Sequence, residues 1–66
     1  MTSSDTNHLV LIVDDNDFNR DGLALYLRGY GYQTLEAGDA ATAYDLAAAH
    51  RPDSAVVDIV MPELPG

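Results

Sequence analysis

The sequence contains no cysteine and no lysine, and its only basic residues besides two histidines are three arginines, against eleven aspartates and glutamates. Without cysteine the chain has neither disulfide bonds nor thiolate ligands, so a bound metal must be held by oxygen or imidazole groups. The net charge of -8 argues against nucleic acid or an anionic membrane as a direct partner of this segment. It favours a cationic ligand or a partner with a basic surface.

Long hydrophobic runs are also absent. The apolar run over residues 9–13 is far too short for a signal sequence or a membrane span, so we expect a cytoplasmic protein. A length of 66 residues allows one small domain with a thin core. Residues 1–7 are polar and without periodicity, which predicts a disordered leader before a domain over residues 8–66.

Two apolar runs have the character of buried parallel strands. Leu9-Val10-Leu11-Ile12-Val13 is continuous rather than alternating, and it ends at two aspartates. The second run, over residues 54–62, has the same character but is interrupted by Asp58. An ionised carboxylate is costly in apolar surroundings unless a cation, donors or solvent compensate it.

Between these runs the hydrophobic spacing becomes helical. A first helix is predicted to begin with Asn16 or Asp17 as its N-cap and to end near Gly29 and Gly31. Residues 32–37 then favour a shorter, partly exposed strand.

A second helix is predicted over residues 40–49, with Asp39 as its N-cap and Arg51-Pro52-Asp53 as its end. Its alanine-rich body is suited to close packing on a sheet. The order strand, helix, strand, helix, strand implies parallel strands joined by right-handed crossovers.

Three acids follow the ends of the two apolar strands. In parallel sheets of this type, ligands bind beyond the carboxyl ends of the strands. If the first and third strands are neighbours, Asp14, Asp15 and Asp58 converge at one edge.

Converging carboxylates need a counter-ion. Two charges ~4 Å apart repel by about 1 kcal/mol in water and by about 4 kcal/mol at an effective dielectric of about 20. Hard oxygen ligands in an open site suit Mg²⁺, which would screen an incoming phosphoryl group. Asp58 would then act as a carboxylate nucleophile and form an acyl phosphate.

The motifs Val10-Leu11-Ile12-Val13-Asp14-Asp15 and Val56-Val57-Asp58-Ile59-Val60-Met61-Pro62, followed by Gly66, carry a family resemblance. Together they resemble the amino-terminal half of a response-regulator receiver domain of two-component signalling. This resemblance implies a CheY-like, flavodoxin-like βαβαβ half with strand order 2-1-3.

The resemblance also implies roles for individual residues. Asp58 corresponds to the phosphoacceptor and Asp15 to a direct Mg²⁺ ligand, while Asp14 helps to hold the metal through water. Val60 corresponds to a ligand through its backbone carbonyl, and Asp58 itself completes the metal site. The implied phosphodonor is a sensor histidine kinase or a histidine phosphotransfer protein.

The sequence departs from the family pattern in its length and in two residues. Receivers of this family are about twice as long, and their later strands supply a Ser or Thr and a Lys that contact the phosphoryl group. This chain matches only the first three strands and two helices, so the Asp58 strand is expected to lie at a sheet edge. Such an edge is a template for another chain, and we expect self-association or pairing with a complementary half.

Two other groups of residues suggest ligand binding but favour structural roles. Residues 17–22 match the opening of an EF-hand calcium loop, but the twelfth position is Arg28 where a Glu belongs. His8 and His50 lie away from the edge where the acids converge, which favours surface or helix-capping roles. Three tyrosines at helical spacing favour core or rim packing over base stacking: Tyr26, Tyr30 and Tyr44.

The sequence therefore predicts a phosphoacceptor module whose own chemistry is limited to phosphoryl acceptance and slow hydrolysis. Two alternatives remain at this stage. The first is a non-catalytic protein-interaction module that cannot complete the phosphorylated state. The second is a small metal-dependent phosphatase, although the sequence offers no residues recognisable as its general acid or as its substrate-binding groups.

Overall fold

The computed structural model describes residues 8–58, which form a three-stranded parallel sheet and two helices. The elements, in chain order, are β1 (Leu9–Asp14), α1 (Asp17–Gly29), β2 (Gln33–Ala37), α2 (Ala40–His50) and β3 (Ser54–Asp58). The strand order β2-β1-β3 confirms the predicted α/β flavodoxin-like half. The predicted leader, residues 1–7, and the segment 59–66 lie outside the described residues.

The central strand β1 fixes the register of both neighbours. It pairs with β2 from Leu9 opposite Gln33 onward, and with β3 from Val10 opposite Ser54 onward. The pairing with β3 ends with Asp14 opposite Asp58. Both acids therefore lie at the carboxyl edge of the sheet.

The two faces of β1 are covered by different helices. Val10 and Ile12 pack with Ala24 of α1 on one face, and Leu23 and Leu27 border this cluster. On the other face β1 and β2 contribute apolar residues that pack against α2, namely Leu11, Val13, Leu35 and Ala37 against Ala43, Leu46 and Ala47. The predicted packing of the alanine-rich helix on the sheet is confirmed.

Both helices begin at the predicted caps. The Asn16 side chain accepts a hydrogen bond from the Asn19 amide at 2.9 Å, and Asp39 accepts one from the Thr42 amide at 2.7 Å. Hydrogen bonds from the Thr42 backbone amide and from the Thr42 side chain favour the ionised carboxylate of Asp39 and hold its pKa below its usual range. α1 ends at Gly29, and Gly31 then adopts a φ of 96°, a left-handed conformation that glycine tolerates best.

The prediction that β3 is buried on both faces is wrong. All five of its residues are exposed, and Val57 has 65% of its surface accessible. The reason is that both helices pack against β1 and β2, and β3 contacts only β1 among the described elements. β3 is an edge strand in residues 8–58, as the family resemblance implied.

The three tyrosines lie on the surface, so of the two predicted roles, core packing and rim packing, the structure excludes core packing. Tyr26 and Tyr30 are mostly exposed and form an edge-to-face pair with ring centroids 5.1 Å apart. Tyr44 is 77% exposed.

Neither helix among the described residues is long and apolar enough to cross a membrane.

Candidate functional site

The candidate site lies where β1 and β3 end. Asp14 is the last residue of β1, Asp58 is the last residue of β3, and the two are paired in register. Register partners on adjacent strands point to the same face of a sheet, and the strands lie about 5 Å apart. The structure therefore confirms that the first and third strands are neighbours, and it brings two of the three predicted acids together.

The three acids have different surroundings. Asp14 is buried, and its Oδ1 accepts a hydrogen bond from the Asn16 amide at 2.9 Å. Asp15 follows directly in the loop between β1 and α1 and is exposed, as is Asp58. Asp15 and Asp58 are thus open to a ligand, whereas one oxygen of Asp14 is already bonded to the backbone.

The donor set fits Mg²⁺ in its chemistry. Mg²⁺ prefers oxygen ligands, keeps several waters and needs only one or two carboxylates from the protein. Within residues 8–58, no three His, Asp or Glu side chains are gathered into a preformed metal site. The predicted backbone ligand Val60 lies outside the described residues.

Arg20 of α1 is the residue that sequence reasoning missed. Its Nη1 donates to the backbone carbonyl of Asp14 at 2.8 Å, and its Nη2 donates to Asp17 Oδ1 at 2.6 Å. Its Nε donates to Glu36 Oε1 of β2 at 3.3 Å. The bond to Asp17 has a local signal, the i to i+3 spacing on a helix, but the other two contacts come from the tertiary fold.

Glu36 lies between charges of both signs at the end of β2. Its second oxygen lies 3.5 Å from Arg28 Nη2, so both arginines of α1 reach this one carboxylate. A hydrogen bond with Asp21 nevertheless raises the pKa of Glu36, and burial adds to this effect while Arg20 opposes it. For Arg20, the hydrogen bond with Asp17 raises the pKa of the guanidinium.

The rival sites are not assembled. Asp17, Asn19 and Asp21 lie within α1, so residues 17–22 are helical and do not form a calcium loop. His8 Nε2 lies 2.8 Å from Ser54 Oγ, at the amino end of β1 and away from the acids. His50 is the last residue of α2, as expected for a surface residue at a helix end.

An apolar groove opens beside β3. It has a volume of about 250 Å³ and lies between α2 and the strand edge. Its lining is formed by residues of β1, α2 and β3, namely Leu11, Val13, Ala40, Ala43, Tyr44, Ala47, Ala55 and Val57. Apolar surface at this place is suited to contact with another polypeptide segment.

Comparison with known proteins identifies the family. Residues 10–66 match the family model of the response regulator receiver domain, so the chain belongs to that family. It is 39% identical over 57 residues to the polar-differentiation response regulator DivK of Brucella anthropi, covering 86% of this chain and 46% of that protein. It is 42% identical over 57 residues to the response regulator MprA of a Mycobacterium species (strain KMS), covering 25% of that protein.

The chain thus spans less than half the length of these curated relatives. No solved structure gives a significant match. The receiver family and the parallel order β2-β1-β3 agree with each other and with the resemblance found in the sequence motifs.

Proposed function

We propose that this chain is a phosphoacceptor receiver module that accepts a phosphoryl group on Asp58 with Mg²⁺. The observation that carries the proposal is the pairing of Asp58 with Asp14 at the carboxyl edge of the sheet, with the Asp58 side chain exposed. An accessible carboxylate beside further acids suits a nucleophile that works with a divalent cation. Membership of the receiver family supports the same role.

In this proposal the acids of the chain have two roles, nucleophilic attack and metal binding. A carboxylate oxygen of Asp58 attacks the phosphorus, a new O–P bond forms, and the bond to the donor's leaving group breaks. Asp15 would hold Mg²⁺ directly, Asp14 through water, and Asp58 and the Val60 carbonyl would complete the set. When bound, Mg²⁺ supplies positive charge to the transferring phosphoryl oxygens.

The phosphodonor in this proposal is a sensor histidine kinase or a histidine phosphotransfer protein. The acyl phosphate on Asp58 would pass the signal on by a conformational change, in the cytoplasm. The chain's own catalysis would be limited to accepting the phosphoryl group from a donor and releasing it slowly to water.

The proposal is tested by incubating the chain with a small acyl-phosphate donor in the presence and absence of Mg²⁺. We expect an acid-stable, alkali-labile phosphoryl adduct that requires Mg²⁺ and disappears when the metal is chelated. Intact mass spectrometry measures it as the gain of one phosphoryl group. A folded sample that gains no phosphoryl group with Mg²⁺ present would contradict the proposal.

A second candidate function, a non-catalytic interaction module, is favoured by the apolar surface around β3. Val56 and Val57 are exposed on an edge strand, and the groove beside them is open. Edge strands with unpaired backbone groups pair readily with another chain. The incubation with an acyl-phosphate donor separates the two functions, because an interaction module would fold without accepting a phosphoryl group.

We further propose that the 66-residue chain self-associates through the exposed edge of β3. Sedimentation at rising protein concentration is expected to show dimers or larger species. Val57→Lys should shift the chain towards monomer, because it places a charge on the strand edge. Phe18→Lys is the matched control, since Phe18 is 86% exposed on α1 and away from β3. A folded wild-type monomer at high concentration would contradict this proposal.

A further inference from the structure

We propose that Arg20 is a positioning residue for the candidate site, because its guanidinium fixes the backbone that carries Asp14 and Asp15. This inference rests on the proposed function. Arg20 is not expected to touch the phosphoryl group, since its described contacts are Asp14, Asp17 and Glu36. Its effect on Mg²⁺ would pass through the Asp14-Asp15 segment.

The contacts of Arg20 lie on both sides of Asp15. Between the end of β1 at Asp14 and the start of α1 at Asp17 there are only two residues, Asp15 and Asn16. One guanidinium nitrogen holds the Asp14 carbonyl and another holds the Asp17 side chain. The guanidinium therefore fixes the distance between Asp14 and Asp17, the residues on either side of the exposed Asp15 and Asn16.

A further hydrogen bond within the same short loop bears on Asp14. The Asn16 amide donates to Asp14 Oδ1 at 2.9 Å, which holds the Asp14 carboxylate against the start of the helix. If the Asp14 backbone shifts, this bond and the direction of the Asp14 carboxylate shift with it. Arg20 thus controls the placement of two of the three acids.

The space around Arg20 is shaped for an arginine. The guanidinium is largely buried, with 15% of the side chain exposed, and it also reaches Glu36 at the end of β2. A Cβ at Gly38 would lie 3.1 Å from Arg20 Nη1, closer than most side chains approach. Lysine carries one ammonium group rather than a fork of donors, so it cannot reproduce these three contacts together.

The direction in which the Mg²⁺ affinity changes when Arg20 is replaced distinguishes a positioning role from a purely electrostatic one. Arg20 is a cation beside an acidic site, so removing its charge alone would strengthen the binding of Mg²⁺. Loss of positioning would weaken it, and changes in groups that orient metal ligands typically cost about 10–100-fold in affinity. The two explanations therefore predict opposite changes.

The test titrates Mg²⁺ alone into the wild-type chain and three variants. The amide NMR shifts of residues 14–16 report the binding. Arg20→Gln is expected to raise the Kd for Mg²⁺ by about tenfold or more, and Arg20→Lys should raise it by less. Arg28→Gln is the matched control. It removes the same charge from the same helix and an ion pair with the other oxygen of the same Glu36 carboxylate, but Arg28 has no described contact with Asp14.

A second readout needs no metal. Hydrogen exchange at the Asn16 amide should speed up in Arg20→Gln and stay unchanged in Arg28→Gln. Equal or tighter Mg²⁺ binding by a folded Arg20→Gln variant would overturn the inference, as would unfolding of both Arg20 variants, which would make Arg20 a stability residue. A wild-type chain that binds no Mg²⁺ would instead contradict the proposed function, and that result does not depend on Arg20.

Discussion

Asp58→Asn is expected to abolish the phosphoryl adduct completely. The substitution keeps the size of the side chain but replaces the carboxylate nucleophile with a neutral amide, which cannot form an acyl phosphate. The fold should be unaffected because Asp58 is exposed at the end of an edge strand. Mass spectrometry after incubation with an acyl-phosphate donor and Mg²⁺ measures the result.

The matched control for this prediction is Asp45→Asn. Asp45 is an exposed aspartate on α2, so the control makes the same chemical change away from the carboxyl edge. It should accept a phosphoryl group as the wild type does. If Asp58→Asn still gains the phosphoryl group, the nucleophile lies elsewhere in the chain.

Ile12→Ala is expected to unfold most of the chain. Ile12 is 1% exposed and is the largest fully buried side chain among the described residues. It packs with Val10 and Ala24 in the core beneath α1. Truncating a buried isoleucine to alanine costs about 2–5 kcal/mol, and a domain of this size has little stability to lose.

Urea denaturation followed by circular dichroism measures this effect. Ile12→Val is the matched control, because it removes one methyl group at the same position and should cost about 0.5–1.5 kcal/mol. Similar stabilities for Ile12→Ala and the wild type would show that the core beneath α1 does not hold the sheet together.

The elements and their order could be predicted from the sequence because each has a strong local signal. The run over residues 9–13 is unbroken, and Asn16 and Asp39 are strong N-caps directly before helical spacing. The meeting of Asp14 and Asp58 could be predicted for a different reason, because parallel topology brings the carboxyl ends of strands to one edge. The pairing of Asp14 with Asp58 in register adds the detail that the sequence left conditional.

The exposure of β3 and the contacts of Arg20 with Asp14 and Glu36 could not be predicted, because both depend on the packing of residues distant in the sequence. An apolar run shows that both faces of a strand suit burial, but not whether a helix covers them. Here α1 and α2 lie over β1 and β2, and Val57 is left exposed. Arg20 meets the Asp14 carbonyl and Glu36 only because α1 packs beside the ends of β1 and β2.

The most direct test of the central claim is to locate the modified residue. Borohydride reduces an aspartyl phosphate to homoserine, so the phosphorylated chain can be reduced, digested and mapped by tandem mass spectrometry. The account predicts a single homoserine, at position 58, in a sample treated with Mg²⁺ and an acyl-phosphate donor. Homoserine at position 14 or 15, or modification spread over several of the exposed aspartates, would contradict it.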